Sequence, residues 1–120
     1  YNIARVYMQK GDLDNVILYA EKSKELGLTN PNLYILLGKT YLRKKLLNEA
    51  LENFEKAAML KSADDSIHFM LGLLYTSTKQ VDKAIVAYKN TLKLNPSHSK
   101  ARQQLKKLQE LQWPTRLPKR

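Results

Sequence analysis

The sequence contains no cysteine, and its four glycines are scattered along 120 residues. Without cysteine, the chain has no disulfide framework, no thiolate zinc site and no cysteine nucleophile. The scattered glycines exclude a glycine-rich loop of the kind that cradles phosphate. No apolar run approaches the roughly 20 residues that a membrane-spanning helix needs, so we expect no transmembrane segment.

No signal peptide is recognisable, and the sequence opens at Tyr1, already within a helical pattern. We therefore interpret the chain as a piece of a longer protein. The absence of cysteines and targeting signals predicts a cytoplasmic or nuclear location. Hydrophobic residues make up 43% and charged residues 27%, a balance that is typical of a folded domain and not of a disordered chain.

Positive charge is in excess and unevenly distributed. The chain has 21 Lys and Arg against 11 Asp and Glu, which gives a net charge of +10. Residues 1–96 have 14 basic against 10 acidic residues, whereas residues 97–120 have 7 against 1. This balance invites a search for nucleic-acid or acidic partners at the C-terminal end.

A period of 34 residues is the strongest pattern in the sequence. Residues of the same size class recur at this spacing without any insertion between copies. The matching columns are Ile3, Leu37 and Leu71; Ala4, Gly38 and Gly72; Tyr7, Tyr41 and Tyr75; Val16, Ala50 and Ala84; and Phe54 and Tyr88. We therefore predict three repeats, a truncated one over 1–30 and complete ones over 31–64 and 65–96.

Each repeat contains two helical patterns with a short break between them. The predicted helices span residues 1–10, 13–26, 31–44, 47–61, 65–78 and 81–94. Asn30 offers a capping side chain before a proline at the first helical position, and Asp64 offers a second cap. Glycine inside a helix costs about 1 kcal/mol relative to alanine, so Gly38 and Gly72 indicate a place where two helix backbones approach closely.

A seventh helix is predicted over 97–112, with Ser97 as its cap. It has an apolar stripe, but Lys106 stands where the earlier repeats have glycine. A long cation there would obstruct a further helix, so we expect a capping helix that closes the C-terminal end. Residues 113–120 are predicted to form an irregular basic tail.

These residues resemble the tetratricopeptide repeat family, whose pattern is an aromatic residue, Leu-Gly, Tyr, Ala, an aromatic residue, Ala and Pro. The second copy reads Tyr34, Leu37, Gly38, Tyr41, Ala50, Phe54 and Ala57, with Ser62 in place of proline. The third copy reads His68, Leu71, Gly72, Tyr75, Ala84, Tyr88, Thr91 and Pro96. The resemblance implies an all-α fold, an α-solenoid of three antiparallel helix pairs plus a C-terminal capping helix. It also implies neighbouring repeats upstream in the parent chain.

In this family the first helix of each pair lines a concave groove that binds partner segments. The matching positions here are Arg5, Met8, Asn32, Ile35, Leu36, Lys39, Arg43, Phe69, Met70 and Leu73. A largely apolar groove with cations towards one end implies a protein or peptide ligand with apolar anchors and some acidic residues. We therefore predict a non-catalytic adaptor or scaffold within a larger multiprotein assembly. Alternatively, the groove is filled by the parent chain, and this piece is a structural end.

One subclass of the family grips the C-terminal carboxylates of chaperones with a clamp of lysine, asparagine and arginine side chains. The matching positions here are Tyr1, Arg5, Leu36, Ser66 and Met70, and none has the expected residue. Leucine and methionine cannot donate hydrogen bonds to a carboxylate. A carboxylate clamp in this frame is therefore disfavoured.

The predicted capping helix offers a second candidate surface. Its basic patch consists of Lys100, Arg102, Lys106 and Lys107. These cations, with the tail, are compatible with nucleic acid or an acidic protein surface, and a basic amphipathic helix also suits an anionic membrane. A simpler interpretation is a solvated face on a capping helix. Nucleic-acid binding is kept as the alternative to the adaptor function.

No catalytic or metal-binding constellation is apparent, and we predict no cofactor and no enzymatic activity. The two histidines lack neighbouring carboxylates at metal-ligand spacing. His68 occupies an aromatic column, so we expect it to be packed or hydrogen-bonded. His98 is expected to be a surface loop residue. Acidic pairs such as Asp64 and Asp65 stand at helix starts, where capping accounts for them.

Overall fold

The computed structural model describes residues 11–27 and 30–116, and of residues 111–116 it describes the backbone alone. Six α-helices make up this part of the chain: α1 (Leu13–Glu25), α2 (Pro31–Arg43), α3 (Leu47–Leu60), α4 (Asp65–Ser77), α5 (Val81–Leu94) and α6 (Ser99–Arg116). The described residues form no β-strand. The predicted helix over residues 1–10 lies outside the described residues. None of the helices in the described ranges is long and apolar enough to cross a bilayer.

The chain divides into two compact units, with the boundary between Ser62 and Ala63. Unit 1 contains α1, α2 and α3, and unit 2 contains α4, α5 and α6. Within unit 1, α2 packs against α3 and more lightly against α1, and within unit 2, α5 packs against both α4 and α6. Turns of three residues join α2 to α3 and α4 to α5, and such short connections produce antiparallel neighbours.

The helix starts follow the capping signals of the sequence. Asn30 stands one residue before Pro31, the first residue of α2, and its Oδ1 accepts a hydrogen bond from the Leu33 amide at 3.1 Å. Asp64 Oδ1 accepts from the Ser66 amide at 2.9 Å at the start of α4. Each such bond satisfies one of the amides that a helix leaves unpaired at its N-terminus. α3 and α5 begin without a side-chain cap, yet all five helices from α1 to α5 start at the predicted residues.

The start and the end of α6 differ from the prediction. The helix begins at Ser99, and its cap is His98, whose Nδ1 accepts from the Ala101 amide at 3.1 Å. Ser97 is one position too early, because its side chain lies outside the first turn. The helix also continues to Arg116, where we expected an irregular tail from residue 113. The added residues 113–116 include Pro114, which lacks an amide hydrogen, so helix propensity does not explain this extension.

Three residues spaced by 34 share one unusual backbone conformation. Gly11 precedes α1 with φ 78°, Lys45 follows α2 with φ 64°, and Lys79 follows α4 with φ 62°. The amides of Lys45 and Lys79 donate to carbonyls three residues back, at 2.9 and 3.1 Å. Left-handed residues of this kind end helices, and glycine is the usual choice because it has no Cβ. Two lysines therefore occupy positions where a side chain is strained.

The helical glycines are covered by aromatic rings. A Cβ added at Gly38 would lie 2.7 Å from two ring carbons of Phe54, and one added at Gly72 would lie 2.5 Å from Cε1 of Tyr88. Both rings are essentially buried. The sequence therefore indicated close approach correctly, but the partner is the ring of the second helix and not its backbone.

Each unit has its own hydrophobic cluster. In unit 1 it consists of Val16, Ala20, Leu33 and Leu37, with Tyr19, Leu36 and Tyr41 packed against it. In unit 2 it consists of Ala84, Tyr88, Ala101 and Leu108, with side chains such as Phe69, Leu73 and Leu105 packed around it. Because Ala101 and Leu108 belong to α6, the last helix completes the core of unit 2.

Candidate functional site

The predicted groove residues of unit 1 form one face of α2. Their spacing of three and four residues places Asn32, Ile35, Leu36, Lys39 and Arg43 on the same side of the helix. Asn32, Lys39 and Arg43 are exposed, whereas Ile35 and Leu36 are half-buried. We call these five residues the α2 face. It combines two aliphatic side chains with two cations and one amide that solvent can reach.

Leu36, one of the two aliphatic residues of the α2 face, is supported by the core of unit 1. Leu36 packs against the cluster of Val16, Ala20, Leu33 and Leu37, so only part of its surface is available. Thr40 is buried, and its hydroxyl donates to the Leu36 carbonyl at 2.7 Å. The α2 face therefore lies opposite the buried side of the same helix, which consists of Leu33, Leu37 and Thr40.

Tyrosines on the other sides of α2 tie it to the neighbouring helices. The hydroxyl of Tyr41 donates to Glu21 Oε2 on α1 at 3.1 Å. Burial, together with the carboxylate of Glu21, raises the pKa of Tyr41 to about 12. The Tyr34 ring lies between two ammonium groups, with Lys24 Nζ 5.6 Å and Lys56 Nζ 5.8 Å from its centroid. These contacts leave both rings outside the α2 face.

The predicted groove residues of unit 2 have a different environment. Phe69, Met70 and Leu73 on α4 are all half-buried. Phe69 and Leu73 pack against the core cluster of unit 2, and the Phe69 ring lies 5.9 Å from the Tyr88 ring. Part of their apolar surface is therefore already covered by α5 and α6.

His98 is a structural residue that sequence reasoning missed. Its ring packs against Phe69 in a tilted arrangement, with centroids 4.6 Å apart and an interplanar angle of 39°. With its Nδ1 capping α6, it joins the start of α6 to the side of α4. The expectation of a plain surface loop residue was wrong. The signal that could have found it is its position directly before a helical run, where a ring nitrogen can act as the cap.

The two remaining predicted groove residues, Arg5 and Met8, lie outside the described residues. The prediction that all ten residues line one groove stays a prediction. The basic patch is described in full: Lys100, Arg102, Lys106 and Lys107 are exposed on α6, and the Arg102 guanidinium donates to the Pro96 carbonyl.

A cavity of about 450 Å³ opens on unit 2 between α4 and α5. Its lining includes His68, Leu71, Tyr75 and Val86. His68 is half-buried there, and Lys83 Nζ lies 5.8 Å from the centroid of the Tyr75 ring. Nowhere in the described ranges do three or more histidine, aspartate or glutamate side chains cluster so that they could hold a metal ion.

A family model of the tetratricopeptide repeat matches three consecutive segments, residues 1–26, 31–64 and 65–98. The chain belongs to the tetratricopeptide repeat family. The three segments begin at the same repeat starts that the 34-residue period predicted, and the six helices have the all-α fold of the family's solenoids. Tetratricopeptide repeats in general are non-catalytic and bind other proteins, and the match supports a protein-interaction module here.

Solved structures of tetratricopeptide proteins are similar to this chain. MamA is 26% identical with a TM-score of 0.85, and the match covers 92% of this chain and 65% of MamA. A tetratricopeptide protein from Parabacteroides merdae is 27% identical with a TM-score of 0.82, over 92% of this chain and 45% of the other. This chain therefore spans less than two thirds of either protein. No curated protein was found to match the sequence.

A third structure is a peptide complex. The first tetratricopeptide domain of Spaghetti (RPAP3), bound to the HSP90 peptide SRMEEVD, matches with a TM-score of 0.81. The match covers 92% of this chain and 87% of that domain's chain. Its identity of 21% shows the fold alone. At the described clamp positions this chain has half-buried Leu36 and Met70 and exposed Ser66, and none of them has a cation or an amide.

Proposed function

We propose that the chain is a non-catalytic adaptor whose α2 face binds an extended segment of a partner protein within a larger assembly. The observation that carries this proposal is the combination of Ile35 and Leu36 with exposed Lys39 and Arg43 on one anchored helix face. The apolar pair provides the burial that drives association, and the cations select the partner's charge.

The ligand that fits this face has one or two apolar anchors followed by acidic residues. Covering a half-buried aliphatic side chain contributes at most about 1.5 kcal/mol, which is half or less of full burial. A single anchor therefore gives weak binding, and a segment that also reaches the cations gains charge-assisted hydrogen bonds. Phe69, Met70 and Leu73 remain part of the proposal as a second surface on unit 2, with the smaller free area described above.

The test is a selection of binding peptides from a random displayed library on the full chain. The variant Ile35→Asn/Lys39→Glu changes one apolar and one basic residue, four positions apart on α2. Its matched control is Leu18→Asn/Lys22→Glu, which makes the same changes four positions apart on exposed sites of α1. Circular dichroism establishes that both variants are folded.

We expect enriched peptides that contain apolar anchors with acidic neighbours, and that bind the control but not the α2 variant. Equal binding to wild type and the α2 variant would show that the α2 face is not the site. A library that yields no enriched sequence would refute peptide recognition altogether. Phe69 is unsuitable for this test, because its substitution disturbs the ring contact with His98 and the core of unit 2.

A further inference from the structure

The positive charge of the chain is concentrated in unit 2. Residues 63–120 have 11 basic and 4 acidic residues, net +7, whereas residues 1–62 have 10 and 7, net +3. On α6 the described side chains include four cations and a single acid, Glu110. Like charges so close together repel one another and reduce stability, so the surface they form is costly to keep without a negative partner.

Among the described residues, the cations of α6 have no carboxylate partner. Lys100, Lys106 and Lys107 form no ion pair with any residue in the described ranges, although Glu110 is three and four positions from two of them. In unit 1, by contrast, Lys24 pairs with Glu21 at 3.2 Å and Lys44 pairs with Asp14. The ammonium groups of α6 are therefore available to an external anion.

The apolar side of α6 is already used. Ala101 and Leu108 are buried in the core of unit 2, and Leu105 packs against them. Every exposed side chain described on α6 is polar or charged. Between Lys100 and Lys107, a length of about 10 Å at 1.5 Å per residue, the exposed side of this helix therefore offers charge without an apolar anchor.

This composition distinguishes among the possible anionic partners. A protein interface is organised around a desolvated apolar or aromatic centre, and an interfacial helix inserts an apolar face into a membrane. Single-stranded nucleic acid is held by aromatic side chains that stack on its bases. The described face of α6 has none of these features. Surfaces that contact the backbone of a nucleic-acid duplex are polar and strongly positive, and they need no aromatic residue.

We propose that the exposed side of α6 binds the phosphate backbone of duplex nucleic acid without sequence preference. Lys100, Lys106 and Lys107 each contribute one phosphate contact, and Arg102 contributes a fourth while it holds the Pro96 carbonyl. This surface is separate from the α2 face and does not depend on the peptide ligand proposed for it.

Four phosphate contacts predict a definite salt dependence. The slope of log K against log salt is about −0.9 per contact, or about −3.6 in total, so affinity falls roughly 150-fold between 50 and 200 mM salt. Removal of two contacts reduces the slope to about −1.8, and the same change in salt then weakens binding only about 12-fold.

The test measures fluorescence anisotropy of a labelled DNA duplex of two helical turns, titrated with the full chain at several salt concentrations. The α6 variant is Lys100→Gln/Lys107→Gln. The matched control is Lys89→Gln/Lys93→Gln, which removes the same charge from exposed positions of α5 in the same unit. We expect the slope to halve in the α6 variant and to stay unchanged in the control.

Three results would overturn the assignment. No binding at low salt would show that the cations are merely solvated. Equal loss in the α6 variant and the control would show that net charge, and not this helix, attracts the duplex. Tighter binding to phosphatidylserine vesicles or to polyglutamate than to the duplex would assign the surface to a membrane or to an acidic protein. The peptide selection on the α2 face is unaffected by any of these outcomes.

Discussion

Substitution of Gly72 by alanine sets two opposing effects against each other. In an exposed helix, alanine at this position would stabilise the fold by about 1 kcal/mol. In this protein the new Cβ would lie 2.5, 2.7 and 2.8 Å from three ring carbons of Tyr88. Tyr88 is 0% exposed, so the ring cannot relieve the contact by moving into solvent. Overpacking of a buried site costs about 1–3 kcal/mol, and three contacts below 3 Å place this case at the upper end.

The expected net effect of Gly72→Ala is therefore destabilisation by about 1–2 kcal/mol. Urea denaturation followed by circular dichroism measures it directly. The double variant Gly72→Ala/Tyr88→Leu completes a thermodynamic cycle, because the smaller side chain relieves the contact. We expect the pair to be about 1–2 kcal/mol more stable than the sum of the single effects. An increase in stability on Gly72→Ala alone would refute the close approach, and with it the reason for glycine in this column.

Three further predictions concern the backbone, the α6 cap and the response to alkaline pH. Lys79→Gly removes the strain of a non-glycine residue in the left-handed conformation, but it raises the conformational entropy of the unfolded chain. We expect a net gain in stability of about 0.5 kcal/mol, measured by urea denaturation, and a loss of stability for Gly11→Lys at the equivalent position. His98→Ala removes a helix cap and the ring contact with Phe69, and we expect it to lower the free energy of unfolding by about 1.5–2.5 kcal/mol. His98→Asn restores the cap and should recover about 1 kcal/mol of this loss. The pKa of Tyr41 is raised to about 12, so the tyrosine loses its proton at a lower pH in the unfolded chain than in the folded one. Its contribution to stability is therefore unaffected below pH 10 and falls as the pH rises from 10 towards 12. Tyr41→Phe should remove that part of the alkaline loss, and a denaturation series across this pH range that is identical for both proteins would contradict the assignment.

Much of the fold could be predicted because its signals are local. Asn30 before proline and Asp64 before a helical run have capping chemistry that acts within three residues, and both predictions are confirmed. The 34-residue period likewise needs no knowledge of tertiary contacts. Lys45 and Lys79 were missed because lysine has no preference for the left-handed conformation, although Gly11 in the same column was a usable signal.

The candidate site was harder to predict, because a helix face does not reveal what covers it. The resemblance to the tetratricopeptide family, transferred column by column, put Phe69 with Ile35 and Leu36 as a groove residue. Its contact with His98 depends on the loop before α6, which no periodic pattern describes. The same loop explains the error at His98, since a histidine can cap a helix only when the turn brings its ring nitrogen to the amide.

Comparison of equivalent columns in the two complete repeats separates packing from recognition. The buried columns keep their character, as Gly38 and Gly72 face an aromatic ring in each unit. The exposed columns do not, because Lys39 corresponds to half-buried Leu73, and exposed Glu49 corresponds to exposed Lys83. The two units therefore present different chemistry to their surroundings, a cation-flanked aliphatic face in unit 1 and a cationic helix in unit 2. The two proposals can for this reason be tested independently on one chain.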